Sequence, residues 1–148
     1  MFAREGNTSG QLNRAGTIAG RSQGLLGEYQ RAIEDYDRAI QLDPDDANAY
    51  YNRGSVYYYL GQHQRAIQDF DKAIQLDPAL GGAYNNRGNA YHHLGEYQRA
   101  IQDYDKAIQL EPIALRYNNR ASAYYYLGQY TKQAADRAKA CSLDSQFC

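Results

Sequence analysis

Apolar, small and polar positions recur along this chain with a period of 34 residues. Tyr50, Gly54, Tyr57 and Leu60 are spaced by four, three and three, which is one face of an α-helix. Gly61 follows and suits the left-handed conformation that ends a helix. A second helical stripe comes next, through Ala66, Ile67, Phe70, Ala73 and Ile74. Asp77-Pro78 stops it, because proline disfavours helical geometry in the residue before it. The pattern predicts helix, short turn, helix, short turn. Tyr84, Gly88, Tyr91, Leu94, Gly95, Ala100, Tyr104, Ala107 and Pro112 repeat it. From Ala49 to Pro78 against Ala83 to Pro112, 21 of 30 positions are identical. A fixed period of this length means one supersecondary unit stacked several times. Gly54 and Ala66 remove bulk where the two helices of a unit must touch, and Phe70 fills the space beside them.

The flanks follow the pattern less closely. LLGEYQRAIEDYDRAIQLDP (25–44) reads as the second half of a unit. Its first half, 13–26, carries Gly16, Gly20 and Gly24, and each glycine weakens a helix by up to ~1 kcal/mol against alanine. Gln23 stands where later units have Tyr57 and Tyr91. Downstream, YNNRASAYYYLGQY (117–130) predicts a good first helix after a turn one residue shorter. In the last helix Gln133 replaces the small alanine, Arg137 the aromatic and Ser145 the proline. The expected organisation is a flexible segment over 1–12, a degraded unit over 13–46, two regular units over 47–80 and 81–113, and a degraded terminal unit over 114–148. Terminal units touch a neighbour on one side only and are more polar outside. No further solvating helix follows the fourth unit, so the chain reads equally as a piece of a longer array or as one whose end another copy covers.

These spaced small and aromatic residues resemble the tetratricopeptide repeat. Its motif stands here as Tyr50, Gly54, Tyr57, Leu60, Gly61, Ala66, Phe70, Ala73 and Pro78, and again as Tyr84 through Pro112. The resemblance implies an all-α fold, a right-handed superhelical solenoid of stacked antiparallel helix pairs. It also implies that the first helix of each unit lines a concave groove holding the ligand contacts.

Differences between the two regular units point to the same face. Tyr51/Asn85, Ser55/Asn89, Tyr58/His92, Tyr59/His93 and Gln62/Glu96 fall within an arc of roughly 100° on the first helix. The other face repeats because it packs. Carried over from the resemblance, the groove displays Tyr51, Asn52, Ser55, Tyr58 and Tyr59 from the second unit. The third offers Asn85, Asn86, Asn89, His92 and His93. The fourth offers Asn118, Asn119, Ser122, Tyr125 and Tyr126, provided the short turn keeps the register. An asparagine amide both donates and accepts, so it can pair with the backbone of an extended peptide. Tyrosine gives a large contact area at low entropic cost. A solvated helix face with tyrosines lying over neighbouring turns is the competing reading. The lysines and arginine of a carboxylate clamp for chaperone tails are missing from the matching columns. Arg53, Arg87 and Arg120, with Asp69 and Asp103, recur as an anion ladder would, or as pairs within each unit; their repetition favours pairs.

Composition narrows the remaining classes. The chain has 148 residues, 16 of them basic and 17 acidic, for a net charge of -1. No basic stripe suggests nucleic acid, which also disfavours an RNA-reading helical repeat. Neither a polybasic membrane segment nor a long apolar run appears, and the N-terminus lacks the apolar core of a secretory signal. Cys141 and Cys148 are expected as two reduced thiols in a reducing, cytoplasmic setting. Of His63, His92 and His93, the adjacent His92 and His93 point ~100° apart on a helix and do not form a metal pair as i,i+4 histidines would. No cofactor, metal, phosphate loop or nucleophile–base set is expected, hence no enzyme. The reading is an interaction module, a scaffold or adaptor holding a protein or peptide partner in the groove. The alternative is a self-associating array, or a fragment of a longer repeat protein, joined through the repeat ends.

Overall fold

The computed structural model describes residues 9–148, with side chains from residue 23 onward. Seven helices follow one another: α1 Ser9–Leu42, α2 Ala47–Tyr59, α3 His63–Leu76, α4 Gly81–His93, α5 Tyr97–Leu110, α6 Ala114–Tyr126 and α7 Tyr130–Leu143. A 3-10 turn, Ser145–Phe147, closes the described chain. The helices pair as α2/α3, α4/α5 and α6/α7, and each pair stacks on the next.

Local chemistry sets the ends. The Asp46 carboxylate accepts the amides of Asn48 and Ala49 at 2.9 and 3.2 Å, capping α2. Gly61, Gly95 and Gly128 close α2, α4 and α6 with φ of 72°, 76° and 69°. There the chain reverses and Gln62 N–H returns to the Tyr57 carbonyl at 2.8 Å.

Packing within a pair depends on absent side chains. A Cβ on Gly54 would lie 3.0 Å from the Phe70 ring, and one on Gly88 2.8 Å from the Tyr104 ring. Ala66, Phe70, Ala73, Ala100, Tyr104 and Ala107 are sealed against water. Ile67, Ala90, Tyr91, Ala100, Tyr104 and Ala123 form one core cluster spanning three units.

Charge joins the units along the other flank. The Arg53 fork donates to both oxygens of Asp69 at 2.8 and 2.6 Å, and its remaining Nη1 reaches Asp37 of the preceding unit at 2.6 Å. Arg87 does the same with Asp103 and Asp71, and Arg120 with Asp136 and Asp105. The recurrent arginines are therefore structural pairs. Each also bridges to the unit before, a contact the repetition alone did not suggest. The carboxylates raise all three guanidinium pKa values against the opposing pull of desolvation.

The short turn before α6 is closed by Arg116. Its buried guanidinium donates to the carbonyls of Ala107 and Glu111 at 2.8 and 2.6 Å and to the Glu111 carboxylate at 2.8 Å. A cation at a helix C-terminus also interacts favourably with the negative end of the helix dipole. The Arg120–Asp136 pair shows that the fourth unit keeps the register of the others.

The degraded unit expected over 13–46 lies largely within α1, which runs through Gly24 and Gly27. Of the segment 1–12 expected to be flexible, residues 9–12 belong to α1 and residues 1–8 lie outside the described residues. Cys141 and Cys148 are not two free thiols but a disulfide, with Cα atoms 4.6 Å apart. Asp144 leaves the helix in an extended conformation and its side chain accepts the Gln146 amide at 3.0 Å. That cap folds the tail back onto α7, a reversal with no signature in the spacing. The cysteine count therefore no longer argues for a reducing compartment.

Candidate functional site

The first helices of successive units approach one another, α2 to α4 and α4 to α6, more closely than the second helices do. They therefore line the inner side of the curve. Their arginines are turned to the aspartate ladder, so amides, hydroxyls and aromatic rings remain for the inner side.

Side-chain amides run across the units. Asn86 Nδ2 donates toward Tyr51 Oη at 3.3 Å and Ser55 Oγ at 3.5 Å. Asn85 Nδ2 donates to Asn86 Oδ1 at 3.3 Å, and Asn119 Nδ2 to Asn85 Oδ1 at 3.1 Å. Farther along, Tyr104 Oη donates to Asn89 Oδ1 at 2.7 Å, and His92 Nε2 lies 3.1 Å from Ser122 Oγ. A cleft of about 210 Å³ opens among Tyr58, Asn89, His92, His93, Tyr104, Asn119 and Ser122. A second, of about 350 Å³, is lined by Asn118, Ala121, Ser122, Tyr125, Tyr126, Gln133 and Arg137. Ser122 borders both, and the two adjoining clefts make up a trough.

Aromatic rings edge the trough. His63 and Tyr97 open α3 and α5, Tyr29 holds the equivalent repeat position inside α1, and each stacks on the last ring of the next first helix. Tyr29 lies parallel to Tyr59 at 6.5 Å, His63 to His93 at 4.9 Å and Tyr97 to Tyr126 at 4.9 Å. Such pairs contribute about 0.5–1.5 kcal/mol beyond the area they bury. Tyr58, His92 and Tyr125 meet these stacks edge-on. Burial, then the neighbouring His93, lowers the pKa of both His63 and His92, so both rings favour the neutral form. Burial raises that of the Tyr58 phenol. His63 Nδ1 is buried without a hydrogen-bond partner.

The residues expected in the groove thus divide. Tyr58, Asn89, His92, His93, Asn118, Asn119, Ser122, Tyr125 and Tyr126 border the trough. Asn85 is buried and its amide is committed to Asn86 and Asn119, so it orients neighbours. Tyr51 is wedged beside Phe70 and against the Gly82 backbone, and Tyr59 is given over to Tyr29. Asn52, Ser55 and Asn86 are not among the residues bordering the trough, and Asn86 donates toward Ser55. The sequence reading missed His63, Tyr97, Tyr104, Gln133 and Arg137. Tyr29, His63 and Tyr97 recur at the repeat period, a signal that was available. Arg137 was recognised only as a lost aromatic. Among the described residues no group of three or more His, Cys, Asp or Glu converges as a metal site, and no helix is long and apolar enough to cross a membrane.

Tetratricopeptide-repeat sequence matches residues 47–80 and 82–112, and a further match to a TPR repeat covers 25–61. The chain belongs to the tetratricopeptide-repeat family. Among solved structures, this tetratricopeptide-repeat chain is similar to MamA, with a TM-score of 0.77 and 29% identity over 86% of this chain and 75% of that one. A second MamA structure gives 0.75 and 29% over 86% and 70%. YrrB, described as a TPR protein with an unusual peptide-binding site, shares the fold at a TM-score of 0.71 and 24% identity, over 76% of this chain and 59% of its own. No curated protein matches the sequence.

Proposed function

We propose that this repeat module binds an extended segment of a partner protein in the trough between Tyr58 and Arg137. One observation carries the reading. Arg53, Arg87 and Arg120 are consumed by the aspartate ladder, while the inner side gathers amides, phenols and imidazoles around two adjoining clefts. Amides can pair with a peptide backbone whatever its sequence, and the rings supply contact area. Among the described residues bordering the trough, Arg137 is the one lysine or arginine, and it suits a carboxylate of the bound segment. A scaffold or adaptor role follows, with no reaction assigned to the chain. The test is affinity capture from native lysate with wild type beside a folded Tyr58→Ala/Asn119→Ala/Tyr125→Ala variant, read by mass spectrometry. A partner lost with the variant supports the reading. A partner held equally by both moves recognition off the trough.

A further inference from the structure

The first helices α2, α4 and α6 each bring a ring to the trough at the same repeat position. Tyr58, His92 and Tyr125 are those equivalents, and all three border the adjoining clefts. Ring contacts join them without a break. Tyr58 meets His93 at 5.5 Å, His93 meets His92 at 6.2 Å, His92 meets Tyr126 at 5.3 Å and Tyr126 meets Tyr125 at 5.5 Å. Helices in contact lie ~8–10 Å apart, and α2 touches α4 as α4 touches α6. The row therefore offers one ring about every 8–10 Å along the trough. Asn89 Oδ1 already accepts the Tyr104 hydroxyl, which leaves Asn89 Nδ2 to donate into the first cleft. Among the described residues, no aspartate or glutamate lines either cleft.

We propose that the segment held in the trough is proline-rich, a polyproline II helix that sets one residue of every three against the row Tyr58, His92 and Tyr125. The proposal rests on the trough being the binding site. A polyproline II helix has three residues per turn and rises ~3.1 Å with each, so one face returns every ~9.3 Å. That interval matches the spacing of the rings, one turn of ligand for each repeat unit. Its backbone makes no internal hydrogen bonds and proline has no N–H, so its carbonyls call for donors from the protein. Asn89 Nδ2 and the phenols supply them. Other modes of peptide recognition call for features that are missing here. An added strand needs a sheet edge, and the described residues form no strand. An amphipathic helix needs an apolar groove, whereas amides, imidazoles and a serine line the first cleft. An acidic motif needs clustered arginines, and the aspartates occupy Arg53, Arg87 and Arg120.

Fluorescence polarisation of the full chain tests this, with labelled decaproline beside a labelled glycine–serine peptide of the same length. Decaproline is expected to bind saturably, and the glycine–serine peptide about tenfold or more weaker, because it is not preorganised and brings no rings. Tyr125→Ala raises the dissociation constant for decaproline about tenfold, as truncation of an aromatic anchor does. Tyr125 is 53% exposed, so the variant keeps its fold, and circular dichroism verifies that. Absence of saturable decaproline binding overturns the proposal. So does equal binding of the two peptides, or a decaproline affinity that Tyr125→Ala leaves unchanged. Capture with the Tyr58→Ala/Asn119→Ala/Tyr125→Ala variant separates this proposal from the one beneath it. A partner lost with that variant whose bound segment lacks proline overturns the ligand class and leaves the trough as the site. A partner held equally by both chains overturns the trough and the ligand class together.

Discussion

Placing a methyl group at Gly88 tests whether helix packing in the units is set by close backbone approach. The added Cβ would lie 2.8 Å from Tyr104 Cε1, 3.0 Å from Cδ1 and 3.2 Å from the Ala100 carbonyl oxygen. Tyr104 cannot swing clear, since it is 1% exposed and its hydroxyl is bonded to Asn89 at 2.7 Å. Overpacking of this kind costs ~1–3 kcal/mol. Replacing a helical glycine by alanine returns up to ~1 kcal/mol. The net for Gly88→Ala is a loss of roughly 1–2 kcal/mol, a fall in Tm of about 2–8 °C for a chain of this size. The same change at Gly24, where nothing lies within 4 Å of the added atom, meets no obstacle and stabilises. Ala121 occupies the equivalent place in the fourth unit, whose second helix carries the exposed Arg137 in place of the buried ring. Scanning calorimetry of both variants beside wild type reads the contrast. A Gly88→Ala chain that melts at or above wild type would refute the reasoning.

Other expectations concern the ion pairs, the histidines, the tail and the trough. Arg87→Ala strands the buried Asp103 carboxylate and costs about 3 kcal/mol in urea denaturation, whereas Asp71→Asn, at the exposed end of the bridge, costs under ~1 kcal/mol. His63 and His92 have lowered pKa values, so the unfolded chain takes up their protons first. Stability holds above the ordinary histidine pKa of ~6.5 and falls as pH drops below it, and a His63→Tyr/His92→Tyr chain shows a flatter Tm against pH. The Cys141–Cys148 bond leaves no thiol for iodoacetamide in the denatured, unreduced chain, and reduction gives two. Arg137→Gln weakens partner capture and reduces its salt dependence, leaving Tm near wild type because Arg137 is exposed.

Much of the regular units could be read from residue spacing. Gly54, Gly88 and the proline stops announce the helix pairs because close packing and chain reversal admit few residue types. The arginine–aspartate pairs were legible for the same reason, since a structural contact repeats with the unit. The bridge to the preceding unit was less so, as Asp37, Asp71 and Asp105 look like solvated positions in isolation. Sequence pointed to the helices that line the two clefts but not to the floor of the first. Tyr104 reads as core, yet its hydroxyl reaches Asn89 in the cleft. Asn85 reads as a groove residue, yet the Asn86 and Asn119 amides hold it inside. The two ends were least legible. Glycine content alone does not decide between a turn and a straight helix in α1. The tail reversal that joins Cys141 to Cys148 depends on one Asp144 cap.

Hydrogen–deuterium exchange of the chain, alone and with its captured partner, tests the central claim most directly. The account predicts slowed exchange along α4 and α6, through Asn89, His92, Asn119, Ser122 and Tyr125, with α3 and α5 little changed. Protection confined to α3 and α5, or to α1, would contradict it.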